Sequence, residues 1–184
     1  TNPMSVLAGF MQRYTQVKTV GLCHSVQVCA EHLLKSLGME EKYKDCTWKI
    51  AGINHMAWLL ELRDHAGNDL YPEVKRRAAE KNAAARKPGA EKHGDMIRLE
   101  IMRHFGYYNT ESSEHTAEYH PYFIKSRNPE LIEEFNIPLD EYPRRCVKQI
   151  EEWQKRRDSL INDKQLEHEK THEYGSRIIN AVVT

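Results

Sequence analysis

The sequence predicts an α+β chain, mostly helical, with a small mixed or antiparallel sheet. Three observations predict it. Apolar residues recur at helical spacing through most of the chain, two stretches are short and strand-like instead, and Gly and Pro separate the segments. After Asn2-Pro3, Met4, Leu7, Ala8 and Met11 form a helical stripe. Residues 17–22 are short and β-branched and suit a buried strand. Ser25 then reads as the cap of a helix whose Val26, Cys29, Leu33 and Leu37 share one face, with Gly38 as its stop. Residues 46–64 alternate well enough for two strands, with Asn54-His55 near their junction, and His65-Ala66-Gly67-Asn68-Asp69 is a turn. Tyr71-Pro72 opens a charged, Ala-rich helix that Lys87-Pro88-Gly89 breaks. A further helix runs from about Asp95 to His104 and ends at Gly106. After Asn128-Pro129 come a short helix and then a long one over about 139–162. Cys146, Ile150, Trp153, Leu160 and Ile161 form its expected buried stripe. A last helix is expected over about 171–183.

Composition narrows the function. The 184 residues carry 27 basic and 27 acidic side chains. This balance argues against an electrostatic nucleic-acid binder or a polybasic membrane binder. No run approaches the about 18 apolar residues of a membrane span, and residues 1–16 lack the basic start and apolar core of a signal peptide. Four irregularly spaced cysteines read as reduced thiols, which predicts a cytoplasmic protein. No G-x-G-x-x-G, Walker A, G-x-S-x-G or H-E-x-x-H sequence is present.

Two places can carry chemistry. Cys23-His24-Ser25 sits where a strand is expected to meet a helix N-terminus, whose dipole and free N–H groups favour a thiolate, a soft metal ligand. An inert buried cysteine is the ordinary alternative. His55 lies at a strand end. With Cys23 it makes a plausible two-ligand metal site with positions left open for substrate, although a packed, hydrogen-bonded histidine is the commoner outcome. Cys29 and His32 are one turn apart, but Cys29 lies on the apolar stripe; Cys46 and Cys146 are assigned to packing. The second place is residues 110–123, which crowd Glu111, Glu114, His115, Glu118, Tyr119 and His120 before Pro121. Ser113 and Glu114 look like helix-cap chemistry, and Glu111 and Glu118 read as part of a solvated, charged helix start, whereas Tyr119 is a poor choice for an exposed position.

Together these pieces resemble the family 4 glycosidases, enzymes dependent on NAD and a divalent metal, and within them the melibiase-type α-galactosidases. The matching text is TNPM at 1–4, GLCHSVQ at 21–27, AGINHMAW at 51–58, LYP at 70–72, TESSEHTAEYHPYF at 110–123 and HEYGSRIINAV at 172–182. The resemblance covers essentially the whole chain. It implies the C-terminal domain of a lactate dehydrogenase-like two-domain enzyme. Residues 1–184 would be the metal- and substrate-binding portion, and the Rossmann half with its Gly-rich NAD fingerprint would lie outside this chain.

The family is an exception to two-carboxylate glycoside hydrolysis. The resemblance implies oxidation of the sugar at carbon 3 by NAD, removal of the carbon 2 proton, elimination of the aglycone, addition of water and return of the hydride. Cys23 and His55 match the metal ligands, with Mn2+ or another divalent cation between them. Asn2 matches the asparagine that holds the sugar, and Tyr119 falls where the tyrosine base falls. His24 stands beside the metal cysteine, where phospho-sugar enzymes tend to carry Asp or Asn. This points to unphosphorylated α-galactosides, with His24 contacting the sugar or assisting the leaving group. Glu114 and His115 are candidate helpers. An α-glucosidase or α-galacturonidase of the same family is the alternative. Outside glycosidases, the alternatives are a dehydrogenase C-terminal half or a non-catalytic helical zinc domain using Cys23, Cys29, His32 and His55. The family also implies a small-molecule substrate as partner, no nucleic acid or membrane, and a homo-oligomer.

Overall fold

The computed structural model describes residues 4–21, 23–53 and 55–164, with only the backbone at Met4 and His24. They form two compact units, one ending at Ile137 and the other starting at Pro138. In the first unit the elements run α1 (Met4–Tyr14), α2 (His24–Ser36), α3 (Glu40–Tyr43), β1 (Thr47–Ala51), β2 (Trp58–Arg63), α4 (Tyr71–Ala85), α5 (Met96–Phe105), β3 (Tyr108–Asn109), α6 (Ser113–Tyr119) and α7 (Glu130–Glu134). The second unit holds α8 (Glu141–Asp158), which continues into a π-helical turn over Ser159–Asp163. The expected helix over 171–183 lies outside the described residues. The expected α+β class is the observed one: helices around an antiparallel three-stranded sheet in the order β1-β2-β3. No described helix is long and apolar enough to cross a membrane.

Helix α2 is the core helix. Cys29, Leu33 and Leu37 are buried as its spacing requires, and Ala30 and Leu34 join them. It stops at Gly38, whose φ of +64° closes a Schellman turn: Met39 N–H donates to Leu34 O at 2.8 Å and Gly38 N–H to Lys35 O at 3.1 Å. Arg77 of α4 donates to the carbonyls of Leu37 and Gly38, placing a cation at the negative end of the α2 dipole.

In the β1–β2 hairpin Lys49 faces Glu61 while Ile50 faces Leu59, so Leu60 is an extra residue on β2. This bulge resets the inside–outside alternation, and Leu59 and Leu62, three apart, both reach the core. The 65–69 turn forms around Asp64, whose Oδ1 accepts the backbone N–H groups of Ala66 and Asn68. Strand β3 is only two residues long, and Tyr108 and Asn109 pair with Leu59 and Trp58. Tyr108, fully buried, donates its hydroxyl to Asp95 at 2.6 Å, and the Arg98 guanidinium, paired to the same carboxylate, lies over its ring.

Three expectations are corrected. Residues 17–21 are not a strand: Val17 and Val20 are exposed and no described strand pairs with them. Ser25 does not cap α2. Cys23 holds the cap position with extended backbone (φ −97°, ψ 151°), and Ser25 lies inside the first turn. Nor does α8 bury its expected stripe: none of its residues is buried, and Ile150 and Trp153 are 58% and 61% exposed. The helix has the right periodicity, but burial depends on a partner surface, and periodicity does not supply one. On the α1 stripe, Ala8 and Met11 are half-buried and Leu7 is exposed.

Candidate metal centre

Two local structures present the predicted pair. Cys23 precedes the first turn of α2, so its thiol stands at the helix N-terminus, where backbone N–H groups have no helical acceptor. His55 sits in the turn between β1 and β2. That turn doubles back tightly: Gly52 has φ +134°, and His55 itself has φ +65°. A left-handed residue other than glycine is uncommon, and such backbone strain gathers at functional sites. Met56 N–H donates to Ile53 O at 2.9 Å and closes the turn.

The fold brings the two together across 32 residues of sequence. Cys23 Sγ lies 3.7 Å from His55 Nε2, and Ser25 donates its hydroxyl to Cys23 Sγ at 3.4 Å. Two donors of one tetrahedral ion, at bond lengths of about 2.3 Å to sulfur and about 2.0 Å to nitrogen, stand about 3.6 Å apart. The observed spacing therefore admits an ion between them. One buried acceptor without a partner among the described residues, Gln27 Oε1, lies one helical turn beyond Cys23.

The third member of the cluster is Glu111, which its charge-rich surroundings had marked as solvated. Instead it is 5% exposed, and its carboxylate meets His55 Nδ1. The sequence carries no local signal for this contact. The residues are 56 positions apart and are joined through strand β3, which is too short to read from periodicity.

The other candidates do not join this cluster in the described contacts. Tyr119 ends α6 and is 49% exposed, against the expectation that it avoids solvent; its ring stacks on His115, with centroids 6.0 Å apart. His115 is engaged with Glu118 at 2.7 Å, and Glu118 is solvated as expected, its side chain 49% exposed. The cap of α6 is Ser112, which accepts from His115 N–H, rather than Ser113 or Glu114. Asn2 lies outside the described residues, as does the side chain of His24.

The four side chains of a closed zinc site are not gathered among the described residues: Cys29 is 2% exposed in the core, where burial pushes its thiol up to about 12, while His32 on the same helix is exposed. Cys46 is buried as expected, and burial raises its thiol as well. Among the described residues, no three His, Cys, Asp or Glu side chains are placed to hold one ion. Cys23 and His55 form an open pair. We expect iodoacetamide at neutral pH to alkylate Cys23 at least 10-fold faster than Cys29 or Cys46, and Mn2+ to slow it; peptide mapping by mass spectrometry reads both. Equal rates at the three cysteines would contradict the placement of Cys23.

A thiol, an imidazole and a carboxylate in this order serve either as metal donors with an oriented histidine or as nucleophile, base and orienter. Comparison with known proteins shows the family to which the chain belongs. Residues 50–184 match the family 4 glycosyl hydrolase C-terminal domain, and residues 1–39 match family 4 glycosyl hydrolase. The chain is similar to an alpha-galactosidase of Bacillus subtilis (strain 168), 62% identical over all 184 residues, which make up 40% of that protein. An alpha-galactosidase of Rhizobium meliloti (strain 1021) is 32% identical over 124 residues, 67% of this chain and 24% of its own length. Among solved structures, a putative glucosidase, lplD, from Bacillus subtilis aligns with a TM-score of 0.65 at 21% identity. The alignment covers 98% of this chain and 44% of that one. The chain thus spans less than half the length of these relatives. The family match over most of its residues, together with 62% identity over all 184 of them, makes this chain a member of the family 4 glycosyl hydrolases.

Proposed function

We propose that the protein containing this chain hydrolyses terminal α-galactosides in a reaction dependent on NAD and a divalent cation, and that residues 1–184 are its metal- and substrate-binding portion. The observation that carries this reading is the 3.7 Å approach of Cys23 Sγ to His55 Nε2. Two donors on one side of an ion leave coordination positions for the oxygens of a sugar. When bound, NAD supplies reversible oxidation at carbon 3 of the sugar, and the cation, Mn2+ in our reading, polarises the sugar oxygens.

The residues of this chain do the rest. Cys23 and His55 hold the cation, Tyr119 takes the proton from carbon 2, and Asn2 and His24 hold the sugar. The galactoside preference rests on the Bacillus subtilis relative and on His24-Ser25 beside the metal cysteine. α-Glucosides and α-galacturonides are the alternatives within the family. Four unpaired cysteines support a cytoplasmic setting, and the exposed apolar residues of α8 support a homo-oligomer.

The test uses the full-length protein with a nitrophenyl α-galactoside, NAD, Mn2+ and a reducing agent. Hydrolysis is expected to require both NAD and Mn2+ and to accumulate no NADH, because the hydride returns to the sugar. The same assay with a glucoside and a galacturonide ranks the alternatives. Undiminished turnover after chelation and removal of NAD would overturn the proposal.

A further inference from the structure

The geometry points to Glu111 as a positioning residue: it fixes the ring of His55 and leaves Nε2 free to bind the cation. The inference rests on the metal reading of Cys23 and His55 and deepens it. A histidine donates to a cation through one unprotonated nitrogen. Which nitrogen that is depends on the hydrogen bond made by the other, and a carboxylate on the far nitrogen also makes the donor more basic. Glu111 meets Nδ1, while Nε2 faces Cys23 Sγ at 3.7 Å. A proton on Nδ1, shared with the carboxylate, leaves Nε2 on the Cys23 side as the donor.

Glu111 is built to hold one position. Its N–H donates to Asn109 Oδ1 at 2.7 Å, and the same oxygen accepts the Thr116 hydroxyl of α6 at 3.3 Å. Thr110 N–H, one residue earlier, donates to Ala57 O at 3.0 Å, stitching this segment to the hairpin that carries His55. Glu111 Oε1 accepts the Ser112 N–H at 2.7 Å. The other oxygen, Oε2, is buried and has no described partner besides His55. A carboxylate 5% exposed is costly unless a cationic partner answers its charge. An imidazole bound to a divalent cation is such a partner, so Glu111 is in place for the loaded site.

The test is Mn2+ binding to the full-length protein without substrate, followed by the electron paramagnetic resonance signal of free Mn2+. Glu111→Ala should bind about 10- to 100-fold more weakly. Glu111→Gln, which keeps an acceptor for Nδ1–H but not the charge, should recover part of that loss. If the Ala variant fails to fold, the Gln variant and the 15N shifts of His55 in the metal-free parent stand in its place, with the proton expected on Nδ1. Mn2+ affinity within twofold of the parent in the Glu111 variants, while Cys23→Ser and His55→Ala lose binding, would overturn the role of Glu111 and leave the metal site intact. Unchanged affinity in Cys23→Ser and His55→Ala would overturn the metal reading itself, and this inference with it. A proton found on Nε2 also overturns it.

Discussion

Replacing Cys23 by Ser in the full-length protein is expected to abolish galactoside hydrolysis while leaving the fold as stable as before, or more so. A serine hydroxyl stays protonated and is a much poorer donor than a thiolate, so Mn2+ affinity should fall at least about 100-fold. Losing a cation that stabilises developing charge removes several kcal/mol, and a turnover loss of about 10³-fold or more corresponds to about 4 kcal/mol. Stability should move the other way. Cys23 is the N-cap of α2 and makes no side-chain cap hydrogen bond. Serine is a strong N-cap residue, worth about 0.5–2 kcal/mol over a residue that cannot cap. Thermal unfolding and a Mn2+ titration on the same preparation separate the two effects. Turnover within twofold of the parent would count against the site. A loss of activity that simply tracks unfolding would remove the claim that Cys23 acts through the cation.

The second large effect is expected at Gly52, far less obvious in the sequence than any cysteine or histidine. A Cβ there would stand 2.6 Å from Ala57 Cα and 2.9 Å from Met56 O, both backbone atoms, and the φ of +134° suits only glycine. Gly52→Ala therefore combines a forbidden conformation, costing about 1–3 kcal/mol, with overpacking of similar size. The turn can relieve the strain only by moving residues 53–57, and His55 moves with them. We expect a lowered unfolding midpoint together with at least a 10-fold loss of Mn2+ affinity. Gly67→Ala is the control. It too has a positive φ, +83°, but nothing lies within 4 Å of its Cβ position. It should cost about 1 kcal/mol and leave metal binding alone. Equal behaviour of the two variants would show that the hairpin turn does not set the position of His55.

Residues whose roles depend on near neighbours were legible. The Schellman stop at Gly38, the Asp64 turn, Pro72 at the start of α4 and the αL cap at Gly106 are all local and appear where expected. Motif order and resemblance nominated Cys23 and His55, and the fold brings them together. Apart from the cap of α2, which falls on Cys23 rather than Ser25, the misreadings share one physical cause. The apolar stripe of α8 has helical spacing, yet none of the helix's residues is buried. Residues 17–21 have strand composition but no pairing partner among the described residues. Glu111 reads as surface because a carboxylate's burial depends on a distant imidazole, not on its sequence neighbours.

The sequence by itself determined the type of chain and the chemistry available to it: helices around a small sheet, neutral overall, with a thiol at a helix start and an imidazole at a strand junction. These follow from periodicity, turn chemistry and residue type, which act over a few residues. Only the tertiary structure decided how that chemistry is assembled. A bulge that sends both Leu59 and Leu62 inward and a glycine-dependent turn that aims His55 are set by pairing within one hairpin, and a two-residue strand delivers Glu111 to an imidazole 56 positions away. Their energies depend on burial and mutual geometry, which exist only once the chain has folded.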